Sequence, residues 1–258
     1  MGGMREARFR TQSVPIGTEV VVKDRFIGSE IPRNDLARFN LSLGEDDPTP
    51  GEIGCLLSHI CIWEHVSTQK EGTWFIVCED DAVWNVGGIQ IAMDIAHTLH
   101  DTATVDFVFL NRSDPVIPNG RVRKTNGDVV QTKLLGVQLF EPVALWGTAA
   151  YMLTPFAARC MLNNMRGEHG AYKWHAADDI TWGSYFRMTP SELQVFKTRW
   201  KDHIDAGGFT THINSSRLLE NESRHTFKAL ATEHNVCSLR PVKSTTRPIL
   251  SKKQSTQR

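Results

Sequence analysis

Five apolar residues in succession, Trp74-Phe75-Ile76-Val77-Cys78, run directly into three carboxylates, Glu79-Asp80-Asp81. A β-branched and aromatic run of this length predicts a strand covered on both faces, as in a parallel sheet flanked by helices. Three adjacent negative charges at its end are costly unless something positive sits there. In open α/β sheets ligands bind beyond the carboxyl ends of the strands. Hard oxygen donors suit Mg2+ or Mn2+, ions commonly shared with substrate phosphates. The pattern points to a metal–diphosphate site; the competing reading is a solvated turn whose acids cap the next helix.

The flanking segments support an α/β chain. Thr49-Pro50-Gly51-Glu52 is a capping box with proline at the first helical position. Ile53, Leu56, Leu57, Ile60, Cys61 and Trp63 follow at helical spacing, with Ser58 and His59 in mid-helix. A second helix is predicted over Ile89–Leu99 and an apolar strand over Val105–Leu110. Ala149–Leu153 reads as a strand, and Thr154-Pro155 opens a helix through about Met165. Asn126-Gly127 predicts a hairpin within Arg121–Lys133. A short helix carries Ile180, Trp182 and Tyr185, and Leu193–Phe196 is a late strand; Asp24–Pro48 reads as irregular. Helix and strand in alternation point to an α/β sheet.

Composition narrows the function classes. From Arg240 to Arg258 there are six basic residues and no acidic ones, so the rest of this neutral chain is net acidic. An acidic body argues against a nucleic-acid-binding core. The Ser/Thr/Lys-rich tail reads as a disordered, solubilising end or as an anchor for anionic surfaces. No stretch of 18 uncharged apolar residues suggests a membrane span. Five scattered cysteines without CxxC spacing argue against a disulfide scaffold or structural zinc and for a reducing cytosol; Cys55, Cys61 and Cys78 read as small core residues. The expected location is cytoplasmic, with peripheral contact to the inner membrane face through the tail.

Gly51-Glu52-Ile53-Gly54-Cys55-Leu56-Leu57-Ser58-His59-Ile60-Cys61-Ile62-Trp63, followed by Ile76-Val77-Cys78-Glu79-Asp80-Asp81-Ala82, closely resembles glycosyltransferase family 25, with its "GExGCxxSHxxxW" helix and its strand running into "EDD". Gly147-Thr148-Ala149-Ala150-Tyr151-Met152-Leu153-Thr154-Pro155 resembles the family's "GTxAYLIS" segment, and Ala177-Asp178-Asp179 its later "VD" motif. The resemblance spans roughly residues 5 to 200, and its ordered pieces together are far more specific than any one of them.

The resemblance implies a GT-A nucleotide-diphosphosugar transferase fold, a Rossmann-like mixed α/β sheet flanked by helices. It implies inverting transfer of a hexose, commonly from UDP-galactose or UDP-glucose, to a glycan acceptor such as lipopolysaccharide core. Glu79 and Asp81 would hold Mn2+ or Mg2+, with Asp80 supporting them or contacting the ribose. Asp178 or Asp179 would be the general base; the competing reading is an N-cap pair. Ser58 and His59 would contact the donor or the acidic strand end, although a core histidine is the ordinary expectation for an apolar helix. Arg5 and Arg8 would contact the donor. Members usually open with a strand reading like "VINL", which is missing or replaced here. Trp63, Trp74 and Trp84 read as core. Arg121, Arg123, Lys124 and Lys133 read as a solvated face or as contacts for an acidic acceptor.

The implied organisation is a transferase domain over residues 1–205, an unassigned extension over 206–239 and the tail over 240–258. Two other functions compete: a catalytically inactive binding or scaffold domain, and a metal-dependent phosphoesterase. The latter ranks last because the ten histidines are dispersed, without HxH or HExxH spacing.

Overall fold

The computed structural model describes residues 21, 26–44, 47–100, 104–111, 127–142, 147–167, 170–174, 177 and 227–239. Helix α1, Pro50–Ser67, begins where the capping box predicts it. The Thr49 side chain accepts from the Glu52 N–H at 3.3 Å, and the Glu52 carboxylate accepts from the Thr49 N–H at 2.7 Å. Helix α2 is Gly88–Leu99. Helix α3 is Pro155–Met165, capped by the Thr154 hydroxyl, which accepts from Ala157 N–H.

The segment expected to be irregular contains two 3-10 helices, Gly28–Glu30 and Arg33–Phe39, and a short strand β1, Leu41–Ser42. Strand β1 pairs in parallel with β8, Tyr172–Lys173. Residues 26–28 lie directly on the first turns of α1. A Cβ on Gly54 would fall 2.5 Å from the Phe26 carbonyl oxygen, so only glycine admits this approach.

The central sheet has six strands in the order β2 (Phe75–Cys78), β7 (Ala150–Leu153), β4 (Phe107–Phe109), β9 (Ala229–Thr232), β6 (Gln138–Phe140), β5 (Val129–Gln131). It is a mixed sheet: β4 and β9 run parallel, and every other neighbouring pair is antiparallel. Side chains alternate along each strand. Tyr151, Leu153, Phe107 and Phe109 therefore face α1 and α3, while Ala150, Met152, Val108 and Leu230 face α2. The result is a three-layer α/β domain with one core on each side of the sheet.

One expectation needs correction. The Trp74–Cys78 run forms β2, but among the described residues β2 has a single neighbour, the antiparallel β7, and is mostly half-buried. Its apolar character serves an edge position packed against helices on both sides, not a central parallel one. The hairpin expected at Asn126-Gly127 has its first arm outside the described residues. Strand β5 pairs forward with β6 through a turn ending at Gly136, whose φ of 66° only glycine adopts readily; residues 121–126 lie outside the described residues.

Residues 227–239, in which the sequence shows no clear pattern, supply β9 at the middle of the sheet and β10, Cys237–Leu239. Strand β10 pairs antiparallel with β3, Ala82–Trp84, the strand that leaves the acidic turn. Asn111 at the end of β4 donates from Nδ2 to the Cys237 carbonyl at 2.8 Å. The predicted short helix over 180–185 and strand over 193–196 lie outside the described residues.

The β5–β6 turn is anchored by a buried carboxylate on α2. Asp94 is 2% exposed and accepts from the Leu134 N–H at 3.0 Å and the Leu135 N–H at 2.8 Å. Burial pushes its carboxyl up, but hydrogen bonds from Thr132, Leu135, Leu134 and Thr98 outweigh this and hold it below the usual aspartate range. A depressed folded-state pKa means the contribution is present above the unfolded value and is lost as pH falls through the folded one. Asp94→Asn is expected to cost about 1–3 kcal/mol at neutral pH. The difference between wild type and variant should shrink below about pH 4, read from urea midpoints across a pH series.

Candidate functional site

Cys55, His59 and Trp63 recur every four residues and so share one face of α1. That face meets Tyr151, the only residue of β7 with a polar side chain. The Tyr151 hydroxyl lies 2.9 Å from His59 Nδ1, and Trp63 Nε1 donates to it at 2.9 Å. All three residues are buried, and Trp63 and Tyr151 are wholly enclosed. The core reading of Trp63 is correct, and its indole N–H has the partner that burial demands.

The acidic run sits at the carboxyl end of β2, as expected. Glu79 N–H donates to the Ala149 carbonyl at 2.9 Å, which carries the β2–β7 pairing one residue further. Ala82 N–H donates to the Glu79 carbonyl at 3.1 Å, which closes a tight turn into β3. The three carboxylates diverge around this turn. Glu79 points back into the fold, Asp80 is exposed, and Asp81 is half-buried with its Oδ1 shut off from solvent.

The Thr148 hydroxyl donates to Glu79 Oε1 at 2.7 Å, and His59 Nε2 lies 3.6 Å from the same oxygen. A polar chain therefore runs Trp63–Tyr151–His59–Glu79–Thr148 through the apolar layer between α1 and the sheet. Burial pushes the Glu79 carboxyl up, but His59 and Thr148 prevail and hold it below its usual range. Burial pushes the His59 imidazole down, yet Tyr151, Cys55 and Glu79 outweigh it and raise the imidazole well above its usual range. Both directions favour the charged form of each partner. Burial, with His59 and Trp63 opposing it, raises the Tyr151 phenol, so that hydroxyl stays protonated.

The thiols near the strand end are poor nucleophiles. Burial, with Cys237 and Glu79 adding to it, pushes the Cys78 thiol far up, and burial pushes Cys237 up to about 12. All five cysteines are free, so there is no disulfide scaffold.

The remaining candidates divide as follows. Ser58 accepts from the Phe26 N–H at 3.1 Å and donates to the Gly54 carbonyl at 2.8 Å, which ties residues 26–28 to α1. Lys133 is exposed. Trp74 and Trp84 pack against the α2-side core. Arg5, Arg8, Asp178, Asp179, Arg121, Arg123 and Lys124 lie outside the described residues. Sequence reasoning passed over Thr148, Tyr151 and Cys55 as site residues. The available signal was a lone hydroxyl-bearing ring in the apolar stretch Ala149–Leu153, with strand alternation aiming it at the α1 layer. Among the described residues no helix is long and apolar enough to cross a membrane.

These residues come from separate segments of one recognisable pattern. The family model described as "Glycosyltransferase family 25 (LPS biosynthesis protein)" matches residues 39–181. The matched span, more than half of the chain, runs from the end of the second 3-10 helix past α3 and holds every residue of the polar chain. No curated protein matches the sequence. The chain belongs to glycosyltransferase family 25, the lipopolysaccharide-biosynthesis family, and is a glycosyltransferase that works between a sugar donor and an acceptor.

Proposed function

We propose that the protein transfers a hexose, galactose or glucose, from a nucleotide-diphosphate sugar to a glycan such as lipopolysaccharide core, with inversion, on a GT-A arrangement. The observation that carries this reading is the acidic turn, three carboxylates beyond a sheet strand with the first anchored from inside. Thr148 and His59 engage Glu79, which tethers the start of the turn bearing Asp80 and Asp81 at the end of β2. The β3–β10 ribbon that follows the turn supports it from the other side.

The donor set suits a hard divalent ion in part. Asp81, supported by Asp80, offers carboxylate oxygens of the kind Mn2+ and Mg2+ take. Glu79, the other expected ligand, is oriented by Thr148 and His59, and in this reading it also positions the turn. An ion held there would neutralise charge on the departing diphosphate. The acceptor hydroxyl loses its proton to a carboxylate facing the sugar from the side opposite the diphosphate, a role assigned to Asp178 or Asp179. Arg5 and Arg8 are assigned to the donor phosphates.

A thermal-shift series with UDP-, GDP- and CMP-sugars, with and without Mn2+, tests the reading. A donor at a hundredfold excess over its Kd is expected to stabilise the native state by about 2.7 kcal/mol. A shift that needs both Mn2+ and one nucleotide class supports transfer. Indifference to every donor would leave an inactive scaffold domain as the better account.

A further inference from the structure

We propose that Cys55, His59 and Glu79 form a three-ligand site for a borderline-soft divalent metal, zinc above all, distinct from the hard-ion position at Asp81. The proposal does not rest on the sugar-transfer reading. It rests on four observations about the cluster itself.

One Sγ, one imidazole nitrogen and one carboxylate oxygen from these residues all lie within 4.8 Å of one another. Thiolate, imidazole and carboxylate together are a zinc or cobalt donor set, whereas Mg2+ and Mn2+ favour oxygen throughout. Cys55 and His59 are four residues apart on α1, the spacing that puts two ligands on one side of one ion. His59 Nε2 and Glu79 Oε1 are 3.6 Å apart, too long for a good direct hydrogen bond. Two zinc bonds of about 2.1 Å at the tetrahedral angle span about 3.4 Å, close to that gap.

The surroundings are those of a metal site. Tyr151 engages Nδ1 of His59 at 2.9 Å and so leaves Nε2 facing Glu79, and Thr148 orients Glu79 through the 2.7 Å hydrogen bond. Outer partners of this kind fix the ring orientation and the carboxylate geometry of ligands. Three protein ligands leave a fourth position for water or a ligand atom. On binding, the Cys55 thiol proton and any proton on Nε2 pass to solvent, and Sγ and Nε2 each donate a lone pair to the metal. The consequence is a clamp between α1 and the end of β2, with Glu79 held where the acidic turn begins.

The test uses the full-length protein, stripped with a chelator and reloaded with Zn2+ or with Co2+ as a spectroscopic stand-in. Elemental analysis is expected to find about one zinc per chain after gel filtration. The cobalt form is expected to show tetrahedral d–d absorption and a thiolate-to-cobalt charge-transfer band. Cys55→Ser should abolish that band. Tyr151→Phe, which keeps all three ligands, should weaken zinc binding by about 10–100-fold. Asp81→Asn should leave zinc content and the cobalt spectrum unchanged, which separates this site from the hard-ion position. Retention of no zinc by the folded wild type would overturn the proposal, as would a cobalt spectrum that lacks the thiolate band or survives Cys55→Ser.

Discussion

Exchanging Asp81 for asparagine is expected to lower the rate of sugar transfer by on the order of a hundredfold or more while leaving the fold intact. The magnitude follows from the charge. Leaving-group stabilisation by a bound divalent ion is worth several kcal/mol, and each 1.36 kcal/mol is tenfold in rate. Asparagine keeps the shape of Asp81 and removes the charge that attracts the ion. Asp81 lies in the turn between β2 and β3, outside every helix and strand, and asparagine matches it in size. The check is initial transfer rate against Mn2+ concentration for both proteins, with urea unfolding as the stability control. A variant that transfers sugar as fast as wild type at limiting Mn2+ would remove Asp81 from the mechanism.

The largest stability loss is expected from Trp63→Ala. Trp63 is wholly buried and lies in the core between α1 and the sheet. Truncating a buried tryptophan costs about 3–5 kcal/mol through lost burial and the cavity left behind. Here it also removes one of the two partners of the Tyr151 hydroxyl, which remains in an apolar layer. Trp63→Phe separates the two effects. It keeps most of the ring volume but loses the N–H, and is expected to cost distinctly less, about 1–3 kcal/mol. Urea midpoints for the two variants give the comparison; equal losses would mean that the hydrogen bond, not the packing, dominates at this position. Native stabilities are only about 5–15 kcal/mol, so Trp63→Ala approaches the threshold for folding.

Much of the helical framework was legible without coordinates because its signals are local. The Thr49–Glu52 capping box and the Thr154-Pro155 pair place the starts of α1 and α3, since each satisfies N–H groups within one helical turn. The acidic run after Cys78 was legible as a strand end for the same reason: apolar side chains stop where solvent begins. Strand partners were not. The apolar residues of β2 are equally compatible with a central parallel strand and with an edge strand covered by helices. Only the pairing with β7 decides between them. Strand β9, Ala229-Leu230-Ala231-Thr232, lies fully buried in mid-sheet, yet four small and aliphatic residues carry no local mark of that place.

The candidate site divides along the same line. The sequence alone determined the membership of the family, through motifs whose order and spacing are properties of the chain, and with it singled out His59 and the three carboxylates as candidates. Only the tertiary structure decided what those residues do to one another. It turned Glu79 inward to Thr148 and His59, left Asp80 exposed, and brought in Tyr151 from β7 and Cys55, which read as a small core residue. The reason is range. A cap or a periodicity is fixed by neighbours a few residues away, whereas the contact between His59 and Tyr151 spans 92 residues and exists only once the sheet has closed against α1.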